Sequence, residues 1–123
     1  MAAIRITAGS VSVTAKLSDS PTAQKLLDAL PIKGRGNRWG DEIYFSIPVD
    51  ADEEPSARAD VSVGTIAYWP PGSAFCIFWG ATPASSGSEP RAASPVNILG
   101  KIDGDATKFS AVKSGTEVVI EKA

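Results

Sequence analysis

The sequence predicts a single mainly β domain over residues 1–123, with about eight short strands closed into an antiparallel barrel and two short helices capping it. Three observations carry this expectation. Brief runs of alternating apolar and polar residues recur along the whole chain, without the regular strand-helix alternation of a βαβ protein. Glycine (11) and proline (9) are used more than is usual in 123 residues, which implies many turns and therefore many short strands. Closure is the simplest way to leave no unpaired edge on so many strands. The length suits one core rather than two, and 43% hydrophobic with 21% charged residues is the composition of an ordinary folded protein.

The elements follow in order. Ile4 and Ile6, then Val11, Val13 and Ala15, alternate on either side of Ala8-Gly9-Ser10 and read as an N-terminal hairpin. Ser20-Pro21 offers a cap and a proline at the first helical position. Ala23, Leu26, Leu27 and Leu30 follow at helical spacing, and Pro31 ends a helix of about ten residues. Residues 32–49 read as two strands joined at Trp39-Gly40-Asp41; in the second, Ile43, Phe45, Ile47 and Val49 share one face, and Glu42, Tyr44 and Ser46 the other. The acidic stretch 50–58 reads as a solvated loop, because clustered carboxylates resist burial; a hard-cation site would need an Asp-x-Asp-x-Asp-Gly spacing that it lacks.

Residues 61–79 give the clearest strand-turn-strand signal, with Pro71-Gly72 at the centre of a type II turn. The strand 74–79 is apolar on both faces, as in a doubly covered sheet, and places Trp79 in the core. Residues 82–94, rich in Pro, Ser, Gly and Ala, are most simply an exposed loop. A strand resumes over 96–102, a short helix fits 105–112, and 117–121 closes the chain as a last strand.

Composition also excludes chemistry. No histidine is present, which removes Ser-His-Asp and Cys-His nucleophile activation, imidazole acid–base work and histidine-containing zinc sites. One cysteine, Cys76, allows neither an intrachain disulfide nor a multi-cysteine metal cluster, and reads as a buried free thiol. A net charge of −2 without basic clusters argues against nucleic acid as a partner. The longest apolar run, 74–79, is far short of the roughly 20 residues that span a bilayer, and the N-terminus lacks a secretory apolar segment. A cytoplasmic setting without membrane, metal or cofactor is the expectation. Gly34-x-Gly36 lacks the third glycine and the helix of a dinucleotide site. Ser110-x-x-Lys113 lacks its partner motifs, and Asp103-Gly104-Asp105 reads as a turn and helix cap.

Three blocks, Gly64-Thr65-Ile66, Gly72-Ser73-Ala74-Phe75-Cys76-Ile77 and Val96-Asn97-Ile98-Leu99-Gly100-Lys101-Ile102, resemble the corresponding strands of cyclophilins. The chain is more similar still to a family of small prokaryotic cyclophilin-like proteins of unassigned function. That pattern is carried by Trp39-Gly40-Asp41-Glu42-Ile43-Tyr44-Phe45-Ser46-x-Pro48-Val49, Tyr68-Trp69-Pro70-Pro71-Gly72, Phe78-x-Gly80-x-Thr82-Pro83 and Pro95-Val96-Asn97-x-x-Gly100. The resemblance implies an eight-stranded antiparallel barrel with a groove on its outer surface as the candidate site.

Two functions are compatible with such a groove. Proline isomerisation needs no histidine, only a pocket for the ring and a donor, typically a guanidinium, that favours the twisted amide over a barrier of ~18–20 kcal/mol. Arg35 and Arg38 lie on the strand where cyclophilins place their catalytic arginine, but their opposite parity lets at most one face a given groove, and neither sits in the Phe-His-Arg context of that family. Cys76 stands where cyclophilins carry a pocket aromatic and is too small to wall a proline ring; no tryptophan precedes Val96 within 91–95. The second function, which we favour, is non-catalytic binding of a small molecule or peptide by Arg35, Trp39, Glu42, Tyr44, Trp69 and Asn97. A carboxylate beside aromatics suits a cationic or hydroxylated ligand. Bland alternatives stand beside it: a solvent-facing Glu42, a Trp69 that only covers the barrel mouth, and an Asn97 that ties down a loop.

Overall fold

Alternation in the first 17 residues becomes a hairpin in the computed structural model, which describes residues 2–123. Strand β1 (Ala3–Ala8) pairs antiparallel with β2 (Val11–Leu17), and Ile4 and Ile6 oppose Ala15 and Val13 on the buried face. Helix α1 (Pro21–Ala29) starts as its sequence dictates. The Ser20 hydroxyl accepts from the Ala23 N–H at 3.1 Å, Pro21 needs no donor of its own, and Ala23 and Leu26 turn into the core.

The remaining strands are β3 (Ile32–Arg35), β4 (Asn37–Arg38), β5 (Glu42–Ser46), β6 (Arg58–Asp60), β7 (Thr65–Trp69), β8 (Ala74–Phe78), β9 (Arg91–Ile102) and β10 (Glu117–Lys122). All described pairings are antiparallel, in the order β3-β10-β1-β2-β9-β7-β8-β5-β4, with β6 attached to β9. The expected closed, eight-stranded barrel is therefore corrected: the sheet has ten strands and is not closed. Its two end strands, β3 and β4, share no ladder, because they are consecutive pieces of one run interrupted at Gly36. There the N–H donates to Thr116 and the carbonyl accepts from Gly115, which draws the backbone towards β10 before β4 turns to pair with β5. Sterics add to this break, since a Cβ on Gly36 would lie 2.9 Å from Ile43 and 3.2 Å from Val118.

The two faces of the sheet bury separate apolar clusters. The larger holds Ile4, Ile6, Ile43, Phe45, Ile66, Tyr68, Phe75, Ile77, Leu99, Val118 and Ile120, together with Trp79 as expected. The smaller, on the opposite face of β7, β8 and β9, holds Ala67, Ala74, Cys76, Phe78, Ala92 and Val96, with Tyr44 and Trp69 packed against it. Strand β8 is buried along its whole length because it belongs to both.

One local expectation is corrected and two are refined. The Pro70–Gly72 connection is a 3-10 turn rather than type II: Ser73, not Gly72, takes the left-handed conformation (φ 48°), while the Trp69 ring folds to 2.9 Å from where a Gly72 Cβ would be. The acidic stretch is an exposed loop as expected, with Asp50, Asp52 and Glu53 in solvent, and it is also tied down. Asn97 Oδ1 accepts from the Glu54 N–H (2.8 Å), Asn97 Nδ2 donates to the Asp52 carbonyl (2.9 Å), and the Tyr68 hydroxyl donates to Val49 (2.7 Å) and accepts from Ala51 (3.3 Å). Glu54 in turn accepts from the N–H and hydroxyl of Thr22, so that a carboxylate sits at the α1 N-terminus, where the helix dipole favours it. Finally, the 82–94 stretch is tied down, with the Thr82 hydroxyl donating to Arg91 and the Ser85 hydroxyl to Glu89 (2.6 Å); its last four residues already belong to β9. The helix expected over 105–112 is a 3-10 helix over Ala106–Ala111, capped by Asp105.

Candidate functional site

On the smaller-cluster face the sheet is hollowed. A cavity of about 220 Å³ is lined by Trp39, Glu42, Tyr44, Trp69, Cys76, Ala92, Ala93 and Val96. Strand register explains the grouping. Glu42 and Tyr44 alternate onto one face of β5 and lie opposite Phe78 and Cys76 on β8; Trp69, at the end of β7, lies opposite Ala74. Small residues at Cys76, Ala92 and Ala93 leave the hollow that larger side chains would fill.

Backbone bonds fix the rim. The Trp39 N–H donates to the Glu42 carbonyl at 3.0 Å, closing the Trp39-Gly40-Asp41 turn, and the Asp41 N–H donates to Ala81 at 2.9 Å. Gly40, with φ 63°, has no room for a Cβ: it would lie 2.8 Å from the Ala81 carbonyl oxygen. The Trp69 indole N–H donates to the Ser94 hydroxyl at 2.7 Å, which anchors the ring at the cavity wall.

Glu42 is the chemically unusual member. It is only 5% exposed, yet no cation pairs with it among the described residues. Burial raises its pKa from 4.5 to about 7, against the smaller opposing effect of a hydrogen bond from the Cys76 thiol. The thiol is pushed well above its usual range, first by burial and then by the neighbouring Glu42 charge, so Cys76 is a protonated donor rather than a nucleophile. The site can thus present a carboxyl that changes charge near neutrality, within aromatic walls.

Four of the six sequence-predicted residues, Trp39, Glu42, Tyr44 and Trp69, meet in this cavity. Arg35 does not: it lies on β3 opposite Glu117, and its guanidinium donates to the Gly115 carbonyl at 2.9 Å. Asn97 is fully buried and spends its amide on Thr22, Asp52 and Glu54, which is the loop-tying role rather than a place in the cavity. A bulge between β7 and β9, where the register shifts after Ile66, turns Asn97 to the side of Tyr68 and away from Val96. Arg38 is also committed elsewhere, donating to the carbonyls of Gly40, Ser110 and Val112 and covering the Trp79 ring at 5.0 Å. Sequence reasoning missed Cys76, Ala92, Ala93 and Val96 as lining residues; the both-faces-apolar pattern of 74–79 is the signal that β8 faces a second, non-core compartment.

Against known proteins, residues 2–121 match the family model described as Cyclophilin-like. The chain is similar to the hypothetical protein AF2241 from Archaeoglobus fulgidus, known from a solution structure, with 40% identity and a TM-score of 0.83 over 99% of this chain and 95% of that one. It is also similar to McbB, solved in complex with tryptophan, with 20% identity and a TM-score of 0.67, a likeness that shows the fold alone. That match covers 96% of this chain and 44% of McbB, so the chain spans less than half of that protein. No curated protein matches it.

Proposed function

The chain belongs to the Cyclophilin-like family, and on that premise we propose that it is a binding domain that holds a small ligand, or a short part of a peptide, in the Trp39–Glu42–Tyr44–Trp69 cavity without isomerising proline bonds. One observation carries the reading: a buried carboxyl without a protein cation opens into a hollow walled by aromatic rings, one of them anchored by Ser94. Such convergence of one polar group with apolar walls is how small-molecule sites are built, and about 220 Å³ is below the ~300–1,000 Å³ that drug-sized ligands fill, which favours a small occupant. Neither arginine on the 32–38 run supports catalysis, since Arg38 is held by backbone carbonyls and Arg35 lies outside the cavity. A reducing, cytoplasmic setting fits the lone buried thiol of Cys76.

The test pairs two measurements. A panel of small amines, alcohols, amides and carboxylates, tryptophan included because McbB was solved with it, is titrated while the indole N–H resonances of Trp39 and Trp69 are followed by NMR. In parallel, cis-to-trans conversion of a proline peptide is timed. We expect saturable indole shifts and no acceleration above background. Acceleration that falls tenfold or more in Arg35→Ala, with no panel member moving either indole, would overturn the reading.

A further inference from the structure

The identity of the groups around Glu42 narrows the occupant further. Carboxylates are almost never buried unless paired; one left without a protein cation tends to hold a proton, and a ligand that brings a cation can take that proton's place. Glu42 faces Cys76 from β8 and Tyr44 from its own strand, while β7 and β9 contribute to the cavity only Trp69, Ala92, Ala93 and Val96, none of which ionises. Its neighbour in sequence, Asp41, turns to Arg38 at 3.4 Å. No lysine or arginine lines the hollow. Three aromatic rings line it instead, and the electron-rich faces of Trp and Tyr attract cations within about 6 Å.

We propose that the cavity is selective for small organic ammonium ions, with the cationic head held between Trp39, Tyr44 and Trp69 and its charge met by the Glu42 carboxylate. This rests on the binding reading above and names its ligand class. Trp69 serves as a π-face rather than as a donor, because its N–H is already given to Ser94. An uncharged ligand of the same shape would fill the hollow but leave Glu42 to take a proton. Ligand charge and ligand shape are therefore separable in experiment.

The probes are choline and its uncharged carbon isostere, 3,3-dimethylbutan-1-ol, titrated against the whole chain by indole NMR shifts and calorimetry at pH 6 and pH 8. At pH 8 choline should bind at least tenfold more tightly than the isostere. Its affinity should fall about tenfold on going to pH 6, as Glu42 takes up a proton, while the isostere's affinity holds or rises. In Glu42→Gln the preference for choline should fall several-fold and lose its pH dependence, the aromatic share of it remaining. Trp39→Leu, which keeps the carboxyl, should weaken choline more than the isostere and serves if the first variant does not fold. Equal binding of the two probes, a preference undiminished in Glu42→Gln, or tighter choline binding at pH 6 would overturn the ammonium assignment. If neither probe binds while amides or alcohols from the panel still shift Trp39 and Trp69, the assignment falls and the binding reading stands. If nothing shifts either indole, both fall.

Discussion

Replacing Glu42 by glutamine should make the protein more stable above neutral pH and leave it nearly unchanged at pH 5. Glu42 is 5% exposed and its pKa rises from 4.5 to about 7 on folding, so between those values the native state holds a proton that the unfolded chain has released. Stability therefore falls as pH rises through this window, and above it the folded protein carries a buried charge that it would be better without. At 1.36 kcal/mol per pH unit, the rise from 4.5 to about 7 corresponds to about 3 kcal/mol of stability lost by pH 8.5. Glutamine is close in shape and never ionises. Urea unfolding, followed by tryptophan fluorescence from pH 5 to pH 8.5, should give a variant-minus-wild-type difference that grows from near zero to about 3 kcal/mol. A difference that stays flat with pH, or a variant less stable than wild type at pH 8.5, would mean that Glu42 ionises normally and that the cavity is wetter than its walls imply.

Two further substitutions test the frame around the cavity. Asn97→Ala removes the partners of the Glu54 N–H, the Asp52 carbonyl and the Thr22 hydroxyl; at about 1–3 kcal/mol for a group left unsatisfied, it should cost more than 2 kcal/mol in denaturant unfolding and speed hydrogen exchange at the Glu54 amide. Gly100→Ala drives a Cβ into the carbonyl of Lys16 where β9 crosses β2, a backbone contact that cannot step aside, and should lower stability by about 1–3 kcal/mol or more in thermal unfolding. Gly87→Ala, whose Cβ meets only the flexible Glu89 side chain, should stay within about 0.5 kcal/mol.

The parts of the fold that are legible in the sequence are those whose signals are local. Ser20-Pro21 caps α1 by the reach of one hydroxyl to one N–H three residues on, and the β1–β2 hairpin follows from alternation around Gly9. Grouping Glu42 with Tyr44 needs only the two-residue period of a strand, which is how that part of the cavity wall is legible in the sequence. What was not legible depends on partners distant in sequence. Ala92 and Ala93 carry too little apolar surface to announce a strand; β9 includes them because Arg91 pairs with Asp60 on β6, itself three residues with no pattern of their own. Asn97 faces away from the cavity because of a register shift between β7 and β9, which one strand's sequence does not encode. The separation of β3 from β4 likewise lies in what Gly36 bonds to, 80 residues later at Thr116.

The position of β10 bears on how the chain comes together as it is made. This strand fills the slot between β1 and β3, both drawn from the first 35 residues, and its register sets Arg35 against Glu117 and Ile6 against Ile120. While a ribosome is still adding the intervening residues, the apolar edges of β1 and β3 wait with a strand-wide vacancy between them, and any other extended peptide nearby competes for that slot. Non-local pairing of this kind delays consolidation until β10 has been made.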